Sequence, residues 1–249
     1  MIEKTEAIVL HSRKYKDTSV LLSLYTREHG KVRLVAKGAR RVKGGYGSAA
    51  MPLSIIEASY SLKEGRDLHT LRTAETLHAL RNVSQHYEHM TTALAIAEVV
   101  EITQPVQEKN EELFVLLINT MNALNAATTN TYNFFAYFCV HCAHQMGFRI
   151  TLPQTDEQAV RGEAVFSFED GRVVMPPIDP SLRVWRMPFA LLRTLAHIAG
   201  SELEHVAEIH LEHSEQRHLQ DFFVRYYSYH LDKSVVFRTE DMMLGIQRS

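Results

Sequence analysis

The residues best placed to do chemistry are cations. Lys37, Arg40, Arg41 and Lys43 fall in one stretch, Lys37-Gly38-Ala39-Arg40-Arg41-Val42-Lys43-Gly44-Gly45-Tyr46-Gly47. Its glycines let the backbone come close to a ligand. Guanidinium forks and ammonium groups pair with phosphates, and a loop of this kind follows an irregular single strand. Just upstream, Lys31, Arg33 and Lys37 alternate with Val32, Leu34 and Ala36, which describes a strand with one buried and one cationic side. Arg13, Lys14 and Lys16 leave an earlier strand and join the same surface in this reading. Tyr15, Tyr25 and Tyr46 are the aromatic rings nearby that could stack on bases.

Charge supports a polyanion as the partner of this part. Residues 1–80 carry 14 Lys and Arg against 8 Asp and Glu, whereas the whole chain has a formal net charge of −2. The remainder is therefore acidic, and the two parts are expected to meet different partners.

Other chemistries find less support. No G-x-x-x-x-G-K-[ST] and no G-x-G-x-x-G occurs, which argues against a nucleotide hydrolase or a dinucleotide-dependent dehydrogenase. No G-x-S-x-G is present, and Glu98 and Glu101 have ordinary helix-surface spacing. Cys139 and Cys142 form half of a zinc ribbon with no second pair, and on a helix they extend an apolar stripe from Phe135 to Met146. His205, His210, His213 and His218 lack a known ligand spacing. A metal-dependent hydrolase built on Cys139, His141 and those histidines is the enzymatic alternative. The preferred reading has no catalytic residue, no metal and no cofactor.

The elements that must hold the cations follow from periodicity. Period-two runs cover residues 7–10, 19–25 and 31–37, a fourth runs from Leu53 to Lys63, and a short fifth runs from Asp67 to Thr73. Turn signals separate them at Lys16-Asp17, His29-Gly30, Gly44–Gly47 and Glu64–Asp67. Five short strands in about 75 residues fit a small closed barrel of the OB-fold type. From Ala74 the period becomes helical, through Ile102 with a break near Pro105, then over 111–126 and 132–146, the last stopped by Gly147. A β-hairpin is expected around Asp170-Gly171, with helices over 191–199, 201–206 and 214–231. The fold class is α+β: an OB-fold barrel over 1–78, then a helical domain over 79–249 with a small β-hairpin insertion at about 148–180. No apolar run approaches the roughly 20 residues of a membrane span and no signal peptide is read, so a cytoplasmic protein is expected.

These residues resemble the RecO family of bacterial recombination mediators. The resemblance is carried by Arg13-Lys14-Tyr15-Lys16-Asp17, the turn Thr26–Gly30 and Ala36-Lys37-Gly38-Ala39-Arg40-Arg41. Pro52-Leu53, Leu68 and Leu71, and, more distantly, Phe222–Tyr227 and Lys233-Ser234 continue it. It implies a DNA repair and recombination protein, nucleoid-associated, that binds single- and double-stranded DNA and anneals complementary strands. With RecR, such a protein assists RecA loading onto DNA coated by single-strand-binding protein (SSB), whose C-terminal tail docks on the helical domain. Arg149 and Arg225 are the cations considered for the carboxylate of that tail. Many members carry zinc on two C-x-x-C pairs; here the stretches 152–157 and 172–177 hold no cysteine. The competing non-enzymatic reading is an RNA-binding OB-fold module of a translation or RNA-processing factor.

Overall fold

The computed structural model describes residues 1–41, 46–62, 65–153 and 162–239. Two compact units follow one another, Met1–Asn125 and Ala126–Ser249.

Five strands open the first unit: β1 (Ile2–Tyr15), β2 (Ser19–Thr26), β3 (Gly30–Ala36), β4 (Ile55–Ser61) and β5 (Leu68–His78). They close into a barrel of order β1-β2-β3-β5-β4, in which only the β3–β5 seam is parallel. Alternation sends Ala7, Val9, Leu22, Leu24, Val32 and Leu34 inward, where Ile56, Tyr60 and Leu71 complete a core closed to solvent. A bulge between Val9 and His11 resets the alternation of β1, which pairs Arg13 with Leu21 on the outer side.

Three helices belong to this unit: α1 (Arg81–Gln85), α2 (Tyr87–Thr103) and α3 (Glu111–Ala126), the last to its boundary at Asn125. The segment between α2 and α3 stitches the barrel. Val106 bridges to Lys31, Gln107 N donates to Lys31 O at 2.8 Å, and Gln107 Nε2 reaches Arg66 O at 3.2 Å. Gly30 sits under this segment with φ +61, and a β-carbon there would collide with the Glu108 carbonyl. Gly30→Ala therefore combines backbone strain with a clash, and is expected to cost about 2 kcal/mol or more in urea unfolding.

The second unit begins with α4 (Tyr132–Gln145), followed by a three-stranded antiparallel sheet of β6 (Glu163–Ser167), β7 (Arg172–Val174) and β8 (Val184–Pro188), ordered β7-β6-β8. Helices α5 (Phe189–Gly200) and α6 (His213–His230) complete it. Phe222, Phe223, Tyr226 and Tyr227 of α6 are fully buried. Phe222 and Tyr226 pack edge-on against Phe166, and the Tyr226 hydroxyl donates to Phe148 O and Arg149 O at 3.1 and 3.2 Å.

The architecture is the expected barrel, helical region and hairpin, with differences in detail. β5 continues to His78 where a helix was expected from Ala74, because β4 keeps it paired through Ala58 with Ala74 and Ile55 with His78. The ladder outweighs local preference there. The hairpin gains a third strand, β8, and the stretch expected as a helix over 201–206 is a 3-10 helix over Leu203–Glu208.

Several histidines are held in the neutral form. Burial is the leading cause pushing the pKa of His69, His141 and His230 down. Gln107 Nε2 lies 2.9 Å from His69 Nε2, an arrangement that suits an unprotonated ring nitrogen. As pH falls through 6.5, the ordinary value, the unfolded chain takes up protons that the folded chain refuses, so stability declines. His205 and His210 are pushed the other way by Glu208 and Glu212, but these pairs are exposed and contribute little. The urea midpoint is expected to drop between about pH 7.5 and about pH 5.5, and His141→Gln should flatten that drop.

Candidate nucleic-acid interface

Strand register puts the cations together. On the outside of the barrel, Arg13 of β1 faces Leu21 of β2, Leu21 faces Val35 of β3, and Val35 faces Thr70 of β5. The next row runs His11, Ser23, Arg33 and Leu68. Tyr15 pairs with Ser19, and Lys37 follows Ala36 at the end of β3. Cations thus alternate with apolar side chains across four adjoining strands, with Arg13, Arg33 and Lys37 exposed. Lys14, paired with Val20, projects from the opposite side of β1 and is also exposed.

The loop after β3 is tied to the β1–β2 turn. Arg40 N donates to Thr18 O at 3.1 Å, and Arg40 Nη1 donates to Asp17 O at 3.0 Å. Gly38, with φ +74, permits the turn in which Arg41 N reaches Gly38 O at 3.0 Å. The two hydrogen bonds bring Arg40 to the turn that carries Lys16, whose ammonium lies 5.6 Å from the Tyr15 ring centroid. Arg13, Lys16, Lys37, Arg40 and Arg41 therefore adjoin on one surface, with Lys14 at its edge on the other side of β1. Lys43 and its neighbours 42, 44 and 45 lie outside the described residues.

One expected member does not join them. Lys31 is 5% exposed, because α2 and the segment after it cover this part of β3. Its Nζ donates to Glu101 O at 2.6 Å and lies 3.9 Å from Glu101 Oε1. Ser23 Oγ donates to the same carboxylate at 2.5 Å. Lys31 is thus a strut between barrel and helix, and Glu101 is its anchor rather than an ordinary surface residue.

The aromatic candidates separate in the same way. Tyr25 is closed to solvent and stacks on Phe114. Tyr46 packs on the barrel core and donates its hydroxyl to Leu71 O at 3.1 Å; burial pushes its pKa up. Tyr15 stays half-exposed on the cationic side. Two cations escaped the reading of the sequence. Arg72, at a bulge in β5, donates from Nε to Ser61 Oγ at 2.7 Å, and Arg66 is exposed just before β5. Only the β3–β5 pairing brings them near the others, and no local periodicity announces a parallel seam.

The opposite end of β1 differs in charge and pairing. Lys4 meets Glu57 at 2.7 Å, Arg27 meets Glu6 at 2.7 Å and also lies 4.9 Å over the Phe114 ring, and His29 meets Glu3 at 3.4 Å.

In the second unit, Cys139 and Cys142 are buried within α4, and Tyr227 donates to Cys139 O at 2.8 Å. His141 Nε2 donates to Ala199 O at 2.9 Å, and His218 Nε2 to Arg186 O at 3.1 Å. His205 and His210 are engaged by Glu208 and Glu212. Among the described residues no three His, Cys, Asp or Glu side chains gather as a metal ion requires, so the residues of the hydrolase alternative are not brought together. Of the cysteine-free stretch 152–157, residues 154–157 lie outside the described residues, as do residues 158–161. The β6–β7 hairpin beside them docks through Thr151 N, which donates to Gly171 O at 2.7 Å. Among the described residues no helix is long and apolar enough to cross a membrane.

Comparison with known proteins adds an independent line. Residues 1–80 match the family model described as Recombination protein O N terminal, and residues 84–236 match Recombination protein O C terminal. DNA repair protein RecO of Salinibacter ruber is 33% identical over 97 residues, 39% of this chain and 37% of the relative. The protein of the same name from Laribacter hongkongensis is 43% identical over 70 residues, 28% of each chain. That of Salmonella paratyphi B is 44% identical over 72 residues, again 28% of each. The aligned stretches thus span well under half of these relatives. The two family models, by contrast, follow one another along nearly the whole sequence, and the chain belongs to the recombination protein O family.

Proposed function

We propose that this chain is a DNA repair and homologous recombination mediator acting by binding rather than by bond chemistry. The observation that carries the proposal is the outer barrel face, where Arg13, Arg33, Lys37 and Arg72 alternate with apolar side chains beside a turn bearing Arg40 and Arg41. Such a face takes phosphates on its cations and leaves bases to Tyr15, Leu21 and Leu68. Neutralising the phosphates of two strands at once lowers their mutual repulsion, which is the physical requirement for annealing. Lys14, Lys16 and Lys43 belong to the proposed surface as its charged fringe; Lys31 does not.

The names of the relatives, DNA repair protein RecO, support DNA as the polyanion. In this reading the chain holds single- and double-stranded DNA, works with RecR, and assists RecA loading where SSB covers the strand. The SSB tail docks on the helical part. A strand-annealing assay with complementary oligonucleotides, run beside competition by matched RNA, tests the proposal. Annealing that is lost at high salt and resists RNA competition is expected. Preferential binding of the RNA would instead favour a 2′-hydroxyl-reading module.

A further inference from the structure

At the C-terminal end of α6 the second unit holds an open pocket of about 660 Å³, within the range of small-molecule sites. Its walls are braced. Phe168 N donates to Arg183 O at 2.8 Å, and both oxygens of Glu169 accept from Arg183 N at 3.0 Å. On the other side α6 ends as Leu231 N donates to Tyr227 O and Lys233 N to Ser228 O, with Asp232 at φ +48 turning the chain. That turn delivers Lys233 and Ser234 to the rim.

Three kinds of group meet there. Arg183, Arg225 and Lys233 are exposed cations. Phe168, Val184 and Tyr229 supply apolar and aromatic surface. Ser234 and the Asp232 carboxylate supply hydrogen-bond acceptors, whereas the Ser228 hydroxyl donates to Val224 O at 2.6 Å and accepts from Val235 N at 3.0 Å. Arg225 is held 5.1 Å over the ring of Trp185, the single tryptophan of the chain.

We infer that this pocket takes one nucleotide of a single strand, its phosphate on the three cations and its base against Tyr229. A base brings N–H donors that Ser234 and Asp232 can accept. An acidic peptide ending in phenylalanine brings no donor on its ring for these acceptors, so the mixed lining favours the nucleotide. The inference rests on the reading of the chain as a nucleic-acid binder and adds a second contact, on the helical part, to the one on the barrel.

The test uses the full chain with Arg13, Lys37, Arg40 and Arg41 replaced by alanine to silence the barrel. Addition of a thymidine tetranucleotide is expected to change Trp185 emission saturably. Adding Arg183→Ala with Lys233→Ala should weaken that titration about tenfold, and Tyr229→Leu should weaken it separately. Arg183 and Lys233 are exposed and Tyr229 is partly buried, and an unchanged melting temperature checks the fold. No emission change, an unaltered titration in these variants, or a response only to an acidic peptide with a C-terminal phenylalanine would overturn the inference. Failure of the barrel reading shows elsewhere, as undiminished DNA binding when the barrel cations alone are replaced in a polarisation assay that does not depend on Trp185.

Discussion

Replacing Arg13, Lys37, Arg40 and Arg41 together with alanine is expected to weaken binding of a single-stranded oligonucleotide about a hundredfold at low salt. The slope of log affinity against log salt should fall by about 3, since each lost phosphate contact removes about 0.7 of a released counterion on single strands. The effect is large because these side chains act on one continuous surface, assembled by the Arg40 bonds to Thr18 O and Asp17 O. Charge reduction alone would not be equivalent. Lys4 and Arg27 are already paired with Glu57 and Glu6, and their joint replacement should leave the affinity within about twofold. Fluorescence polarisation of both variants across a salt series makes the comparison. Equal losses would mean that net charge, not this face, holds the DNA.

Lys31 and Arg33 make the second contrast, two residues apart on one strand. Lys31→Met removes the donor to Glu101 O and leaves the carboxylate, 32% exposed, without its nearest cation. The expected cost is about 2 kcal/mol of stability, moderated by the water that reaches Glu101. DNA affinity per folded molecule should be unchanged. Arg33→Met should do the reverse, with little effect on stability and weaker DNA binding with a shallower salt slope. Urea unfolding and polarisation on the two variants separate the roles, and weakened binding by folded Lys31→Met would return Lys31 to the interface.

The same pair shows how far the sequence could be read. Alternation correctly placed Lys31 and Arg33 on the outer side of β3, because side-chain period is a local property of a strand. It could not show that α2 returns to cover one and not the other, since the Lys31–Glu101 contact spans 70 positions. Tyr25 was lost to α3 for the same reason, through its stacking on Phe114. Turn chemistry at His29-Gly30 and Asp170-Gly171 was legible because left-handed backbone at glycine is local, and both glycines have φ +61. β5 was cut short in the reading because Ala74, Glu75 and Leu77 suit a helix, and only pairing with β4 reveals the strand. Arg66 and Arg72 required the parallel seam with β3. The pocket at the end of α6 required both the β6–β8 sheet and the turn at Asp232, which lie some 50 positions apart in sequence.

The central claim is that DNA lies on the outer face of β1, β2, β3 and β5 beside the Arg40 turn. Photo-crosslinking of a 5-iodouracil oligonucleotide, followed by mass spectrometry of the peptides, tests it directly. The account predicts attachment at Tyr15 and within residues 11–16, 33–41 and 66–72. Attachment centred on the opposite end of the barrel, around Glu3, Glu6 and Glu57, would contradict it.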